Sequence, residues 1–174
     1  MTRPGIKKRP SKPPHALETL EPRLLFSAIP NFIIVGSIIF NQAELIDLHT
    51  THSVGFEPFS PDFVGGVNSA VGDINGDGIP DVICAPASNG KPLIQIFNAF
   101  TGAFERNFFA YSQDFLGGVN LAAADVNGDG KADIITAPAA NGLPLVNVFD
   151  GATGRLIRAF YAYDPAFHGG VNVA

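Results

Sequence analysis

Short apolar runs alternate with polar, glycine-rich breaks along most of the chain. β-Branched and aromatic residues fill runs that favour strands at about 67–72, 81–86, 92–98 and 104–111. The breaks carry Asn-Gly and Thr-Gly pairs, which supply turns with positive φ. Matching runs follow at 134–136, 145–149 and 156–163. The pattern therefore predicts an all-β protein.

The pattern recurs at a fixed interval. The motif Phe-x-Gly-Gly-Val-Asn begins at Phe63, returns at Phe115 and returns again at Phe167, and both steps are 52 residues. Four strands per unit of about fifty residues is typical of a β-propeller blade. We therefore expect tandem four-stranded blades of a β-propeller, incomplete in this chain, with about two units and two flanking fragments.

The repeat divides the chain into five parts. They are a basic, proline-rich tail with an export-like segment (1–29), a degenerate preceding repeat (30–62), a first repeat (63–114), a second repeat (115–166) and the start of a truncated third repeat (167–174). A closed propeller needs about four to eight blades, and the next Asp/Gly loop would begin beyond Ala174. We expect the gene product to be truncated or fragmentary.

One loop of each unit carries candidate chemistry. Asp-x-Asn-Gly-Asp-Gly-x-x-Asp occupies residues 73–81 and 125–133, with side-chain oxygens at positions one, three, five and nine and a backbone carbonyl available at position seven. Hard oxygen donors in a flexible ring suit Ca²⁺ better than Mg²⁺. Zinc is disfavoured because neither loop has His or Cys. The candidate calcium ligands are Asp73, Asn75, Asp77, Ile79 and Asp81 in the first loop, and Asp125, Asn127, Asp129, Lys131 and Asp133 in the second.

The loops admit two other interpretations. An EF-hand, like a dockerin, needs an acidic residue at position twelve and flanking helices, whereas position twelve is Cys84 in one unit and Thr136 in the other, within strand-like runs. The second alternative is an Asp/Gly-rich hairpin turn that binds no ion. Three carboxylates within nine residues would repel one another without a cation, so we favour calcium, acting chiefly as a structural ion.

Charge and composition narrow the partners. Residues 1–29 carry a net charge of +4 within a total of -5, so the rest of the chain carries -9. An acidic body disfavours nucleic acid as a partner. The apolar run 32–40 is far shorter than the roughly 20 residues of a membrane span, so we predict a buried strand there and no membrane span. Cys84 is the one cysteine, and we expect a small buried side chain.

Other recurring residues are expected to be structural. The asparagine of the Phe-x-Gly-Gly-Val-Asn motif is expected to satisfy backbone groups near strand starts. The recurring aromatic residues are expected to pack in the core. They are Phe63, Phe97, Phe108, Tyr111, Phe115, Phe149, Phe160 and Tyr163.

Residues 56–174 resemble FG-GAP/VCBS-type repeats through Phe-x-Gly-Gly-Val, the Asp/Gly loop and a following Ala-Pro. Such repeats form the β-propeller of integrin α subunits and of many bacterial surface proteins. Cys84 and Thr136 depart from the family pattern, which has glycine there. Residues 20–28 resemble the Leu-Glu-Pro-Arg segment that opens many planctomycete surface and secreted proteins. That resemblance implies export to the cell surface or the extracellular space.

Three functions follow from these observations. The first is a non-enzymatic, calcium-stabilised surface module for adhesion or ligand display, whose ligand is an unknown protein or polysaccharide. The second is an accessory propeller of a larger secreted enzyme whose catalytic part is missing here. The third is a non-functional, truncated remnant. Outside the loops the sequence contains no nucleophile elbow, phosphate loop or paired carboxylates.

Overall fold

A computed structural model describes residues 32–37, 41–50 and 52–174. The strands of this part belong to an all-β fold, and it contains no helix. No helix in it is therefore long and apolar enough to cross a membrane. The predictions for residues 1–29, and for residues 38–40 of the apolar run, concern segments outside the described residues.

Three antiparallel sheets follow one another along the chain, each connected as a simple meander. Sheet A has three strands, β1 (Phe32–Gly36), β2 (Ala43–Asp47) and β3 (Ser53–Phe56). Sheet B has four, β4 (Val67–Gly72), β5 (Asp81–Pro86), β6 (Leu93–Asn98) and β7 (Phe104–Phe109). Sheet C has four, β8 (Val119–Ala124), β9 (Asp133–Pro138), β10 (Leu145–Phe149) and β11 (Leu156–Tyr161). These sheets confirm the all-β prediction and are consistent with incomplete propeller blades.

The outermost strand of each repeat is shorter than the pattern predicts. Strands predicted over 104–111 and 156–163 end at Phe109 and Tyr161. The backbone amide of Ala110 still donates to the carbonyl of Pro92 at 2.9 Å, and Ala162 repeats this bond to Pro144 at 2.8 Å. After that bond the chain leaves the sheet in a turn. The next residue of each repeat is a tyrosine, and its side chain is therefore free to leave its own sheet.

The hydrophobic core lies between successive sheets. Between sheets A and B, the buried residues include Leu45, Phe56 and Cys84. Between sheets B and C, they include Ile94, Ile96, Ile134 and Phe149. Aromatic pairs recur in register, because Phe56 contacts Phe97 with ring centroids 5.7 Å apart and Phe108 contacts Phe149 at 4.8 Å. Each sheet thus buries one face against the next, as stacked blades do.

Two burial predictions are wrong, and one is confirmed. Within the apolar run, Val35 is 54% exposed, since it lies on the face of sheet A turned away from sheet B. Phe160 and Tyr163 were expected in the core but are 46% and 57% exposed, because no sheet covers sheet C on that side in the described residues. Cys84 is fully buried as expected, and burial raises the pKa of its thiol to about 12.

Candidate metal site

The two Asp/Gly loops are the hairpin connections between the first two strands of sheet B and of sheet C. Residues 73–80 join β4 to β5, and residues 125–132 join β8 to β9. Positions four and six of both loops have φ between 80° and 84°. Only glycine takes such φ values at little steric cost, so the two glycines let each loop wrap around its own centre. Strands flank both loops, whereas an EF-hand loop is flanked by helices, so the structure agrees that these loops are not EF-hands.

Side chains of the first loop hold their own backbone. The carboxylate of Asp73 accepts hydrogen bonds from the amides of Gly76 at 2.7 Å and Gly78 at 2.9 Å. The side-chain oxygen of Asn75 accepts from the amide two residues on at 2.8 Å, and Asp77 does the same at 2.7 Å. Four N–H groups therefore point towards the loop's oxygen atoms and fix its shape.

The second loop repeats the first of these arrangements. Asp125 accepts from the amides of Gly130 at 2.9 Å and Gly128 at 2.7 Å. These bonds stabilise the ionised form and lower the pKa of Asp125, although its side chain is exposed. Asp129 accepts from the amide of Lys131 at 2.9 Å. The carboxylates at positions one and five are thus held by backbone amides in both loops.

The ninth positions differ between the loops. Asp81 is fully buried; its Oδ2 accepts from the amide of Ile74 at 3.1 Å, while Oδ1 has no hydrogen-bond donor among the described residues. Burial raises the pKa of Asp81 to about 7, although the Ile74 amide acts in the opposite direction. Asp133 is 1% exposed, and its Oδ1 accepts from Asn127 Nδ2 at 3.2 Å and from the amide of Gly151 at 3.3 Å.

The two loops lie side by side. The backbone amide of Ala132 donates to the carbonyl of Asp73 at 2.8 Å. The side chain of Lys131 lies over the first loop, where a Cβ added to Gly76 would be 3.1 Å from its Cε. Ile79, at position seven of the first loop, has no such neighbour loop in the described residues. The sequence did not predict this contact, since a fixed spacing does not show which loops meet.

The structure places eight of the ten candidate ligands in the two loops and the other two, Asp81 and Asp133, at the first positions of β5 and β9, but it does not draw the acids together. Among the described residues, no three His, Cys, Asp or Glu side chains come close enough to hold a metal ion. The carboxylates are turned to backbone amides instead. A carboxylate oxygen that accepts one N–H bond retains a further lone pair, so the donor set remains chemically suited to a hard cation such as Ca²⁺.

Stacked antiparallel sheets with Asp/Gly loops between their inner strands define a propeller-type repeat module. Residues 73–136 match the family model of the FG-GAP-like repeat. The match runs from the first candidate ligand, through the rest of sheet B, to strand β9 of sheet C. The match covers 64 of the 174 residues and supports the resemblance of these repeats to the FG-GAP family. No curated protein is significantly similar to the chain.

Proposed function

We propose that this chain is a calcium-binding repeat module of an exported protein and that calcium rigidifies its loops. The proposal rests on one observation, which concerns the carboxylate oxygen Oδ1 of Asp81. This oxygen is buried at the base of the first loop and has no hydrogen-bond donor in the described part of the chain. A buried carboxylate oxygen without a partner is costly. A bound cation would supply the missing partner.

The first loop would hold the ion through four side chains and one carbonyl. Asp73, Asn75, Asp77 and Asp81 offer side-chain oxygens, and Ile79 offers its backbone carbonyl. The second loop offers the equivalent set: Asp125, Asn127, Asp129, Lys131 and Asp133. Ca²⁺ would neutralise three carboxylates in each loop. Extracellular calcium modules bind with dissociation constants of about 10⁻⁴ to 10⁻³ M, so a site at the tight end would contribute about 1.4 kcal/mol at millimolar calcium.

The biological role we propose is adhesion or ligand display, without catalysis by this module. Two exposed apolar residues support a display surface, because Val64 and Leu116 stand at the same position of successive repeats and are 70% and 53% exposed. The ligand would be a protein or a polysaccharide. Native gels that contain soluble polysaccharides test the second class: Val64→Ser with Leu116→Ser should abolish any retardation that the wild-type chain shows.

Calcium uptake is the decisive experiment. Equilibrium dialysis of the full chain at millimolar calcium should show about two bound ions, and calcium should raise the melting temperature. Asp77→Ala with Asp129→Ala should remove both effects. Asp62→Ala with Asp114→Ala is the matched control, since these exposed acids also recur after 52 residues but lie outside the loops. Equal calcium uptake by the wild type and the loop variant would refute the proposal.

A further inference from the structure

Sheet B docks a tyrosine onto the face of sheet C. The hydroxyl of Tyr111 donates to the backbone carbonyl of Leu145 at 2.9 Å and lies 3.2 Å from Oγ1 of Thr136. Tyr163 stands at the equivalent position one repeat later, and it is 57% exposed. Sheet C therefore presents the docking side chain without a receiving face in the described residues.

Sheet A presents the opposite half of this contact. Its face turned away from sheet B carries an open groove of about 530 Å³. Val35, Gln42 and Glu44 contribute to the lining of the groove. They belong to a receiving face for which the described residues contain no docking side chain.

The hairpin turns show which residues of the receiving face of sheet A correspond to those of sheet C. Asp47 and Asp150 begin the same turn, because each accepts a hydrogen bond from the amide of a threonine three residues later. Counting back five residues from each aspartate aligns Gln42 with Leu145. The pairings Ile33↔Ile46 and Ile134↔Phe149 align the neighbouring strands in the same way and place Val35 where Thr136 stands. The groove therefore lies where sheet C receives Tyr111.

Charge is matched at the same two surfaces. Across the interface of sheets B and C, the Arg106 guanidinium lies beside the Asp150 turn, since a Cβ added to Gly154 would be 3.0 Å from its Nη1. Burial lowers the pKa of Arg106, and attraction to the Asp150 carboxylate acts in the opposite direction. The equivalent residues on the two open faces are Arg158, which is exposed, and Asp47. Between sheets A and B, the equivalent positions are held by Val54 and an uncharged asparagine. A contact between the open faces would bring the opposite charges of Arg158 and Asp47 near each other in the same arrangement.

Sheet A and the segment after sheet C also complement each other, because in the described residues sheet A lacks an inner strand and that segment stands in the position of one. Sheet A has no strand equivalent to β4 or β8, so among the described residues its order begins at β1, and the inner-strand position beside β1 is vacant within sheet A. Residues 171–173 occupy that inner-strand position beyond sheet C. Val171 donates its amide to the carbonyl of Pro138 at 2.9 Å and accepts from Asn120 Nδ2 at 2.8 Å, but the segment belongs to no sheet.

We propose that two copies of this chain associate head to tail. Tyr163 of each copy fills the sheet A groove of the other, and residues 171–173 pair with the edge of β1. In the proposed dimer two identical contacts of this kind join the copies, and they form a ring when the rotation between the copies closes. The three sheets described for each copy would together make six, which falls within the roughly four to eight blades of closed propellers. Because each open face has the chemistry of a face already buried in this fold, a second copy fits better than an unrelated partner.

One residue on the groove weakens the contact. Asn147 of sheet C donates its side-chain amide to the carbonyl of Ala110 at 3.0 Å, and Gln95 of sheet B donates in the same way to Pro58. Glu44 stands at the equivalent position of sheet A. An ionised carboxylate cannot donate to a carbonyl, so Glu44 would oppose the carbonyl of residue 162 in the other copy. Glu44→Gln should therefore tighten the association.

Sedimentation equilibrium of the full chain at fixed calcium tests the proposal. The wild type should form dimers at about 100 µM, since a modest interface supports micromolar affinity. Tyr163→Ala and Arg158→Glu should each weaken the dimer roughly tenfold or more, as loss of a central aromatic or charged contact does. Glu44→Gln should tighten it roughly fivefold. Tyr161→Ala is the control, because its repeat equivalent, Phe109, stays 39% exposed beside sheet C, so this position does not face the next sheet.

Thermal melting of each variant shows whether it folds. If Tyr163→Ala does not fold, the Glu44→Gln variant still tests the proposal. A wild type and a Glu44→Gln variant that both stay monomeric at this concentration overturn the proposal, because the faces are then unoccupied or covered by other residues of the same chain. A dimer that tolerates both Tyr163→Ala and Arg158→Glu also overturns it, since it must use another surface.

Discussion

The side-chain amide of Asn68 donates a hydrogen bond to Oδ1 of Asn120 at 3.0 Å and another to the carbonyl of Val119 at 2.9 Å. Asn120 makes the same two bonds to Asn172 and Val171, at 3.0 and 2.8 Å. The three asparagines thus form a ladder across the inner strands and join each repeat to the next. This confirms the expectation that the asparagines satisfy backbone groups for Asn68 and Asn120, whereas in the described residues the side chain of Asn172 accepts only from Asn120.

Asn120→Ala should lower the free energy of unfolding by about 2 kcal/mol, because it removes two donated bonds and the acceptor for Asn68. Asn172→Ala should cost less than about 1 kcal/mol, because the described structure gives that side chain a single accepted bond. Urea unfolding followed by circular dichroism measures both values. Equal losses for the two variants would show that the ladder contributes nothing beyond one bond.

The repeat interval predicted much of the fold. Phe63 and Phe115 lie at equal places before sheets B and C because the same residues at the same spacing form the same strands and turns. Burial at the ends could not be predicted in this way. Val35 and Tyr163 have the sequence surroundings of buried positions, yet they are exposed because their burial requires a neighbouring sheet. A periodic sequence specifies the unit and leaves open which faces are covered.

The Asp/Gly loops, like the sheets, could be predicted from the sequence only in part. Their residues and their positive φ angles followed from the Asp/Gly pattern, because few other residues permit such a turn. The contrast between Asp81 and Asp133 did not. The amide of Gly151 donates to Asp133, whereas the amide of the equivalent Ala99 donates to the carbonyl of Pro80 at 3.1 Å. A neighbouring turn in the sheet therefore decides whether the buried carboxylate has a partner.

Tyr111→Phe should lower the free energy of unfolding at neutral pH by about 1 kcal/mol, because the bond to Leu145 is lost. Burial raises the pKa of the Tyr111 hydroxyl to about 12 from its usual 10. Its contribution is therefore fully present below pH 10 and is lost as pH rises towards 12. The stability gap between wild type and variant should narrow over that range.

Chemical unfolding at a series of pH values measures this gap, with Tyr161→Phe as the control at an exposed tyrosine. The control should match the wild type at neutral pH. A Tyr111→Phe gap that widens above pH 10 would contradict the assigned direction of the pKa shift.

Gly118→Ala should destabilise the chain by more than about 3 kcal/mol, because an added Cβ would be 1.9 Å from the carbonyl oxygen of Ala87. Gly130→Ala is the matched comparison. Both glycines have φ near 80°, at 82° and 84°, but a Cβ at Gly130 meets no atom within 4 Å. Gly130→Ala should therefore cost only about 1 kcal/mol, from backbone strain alone. Unfolding in urea without calcium separates the two, and similar costs would mean that the close approach of sheets B and C is not rigid.

The loops differ most in how far they depend on the neighbouring sheet. Ile74, in the first loop, is 1% exposed because it packs against Gly151 and the core between sheets B and C. Val126 stands at the same position of the second loop and is 54% exposed. Ile74→Ala should therefore lower the free energy of unfolding by about 2 to 4 kcal/mol, whereas Val126→Ala should change it by less than about 0.5 kcal/mol.

Thermal and urea unfolding of both variants, each with and without calcium, check this prediction. If a second copy covers sheet C, the cost of Val126→Ala should rise with protein concentration, since burial of the loop would then depend on association. A large cost for Val126→Ala in dilute solution would contradict the exposed placement of the second loop. A small cost for Ile74→Ala would contradict the packing of the first loop between sheets B and C.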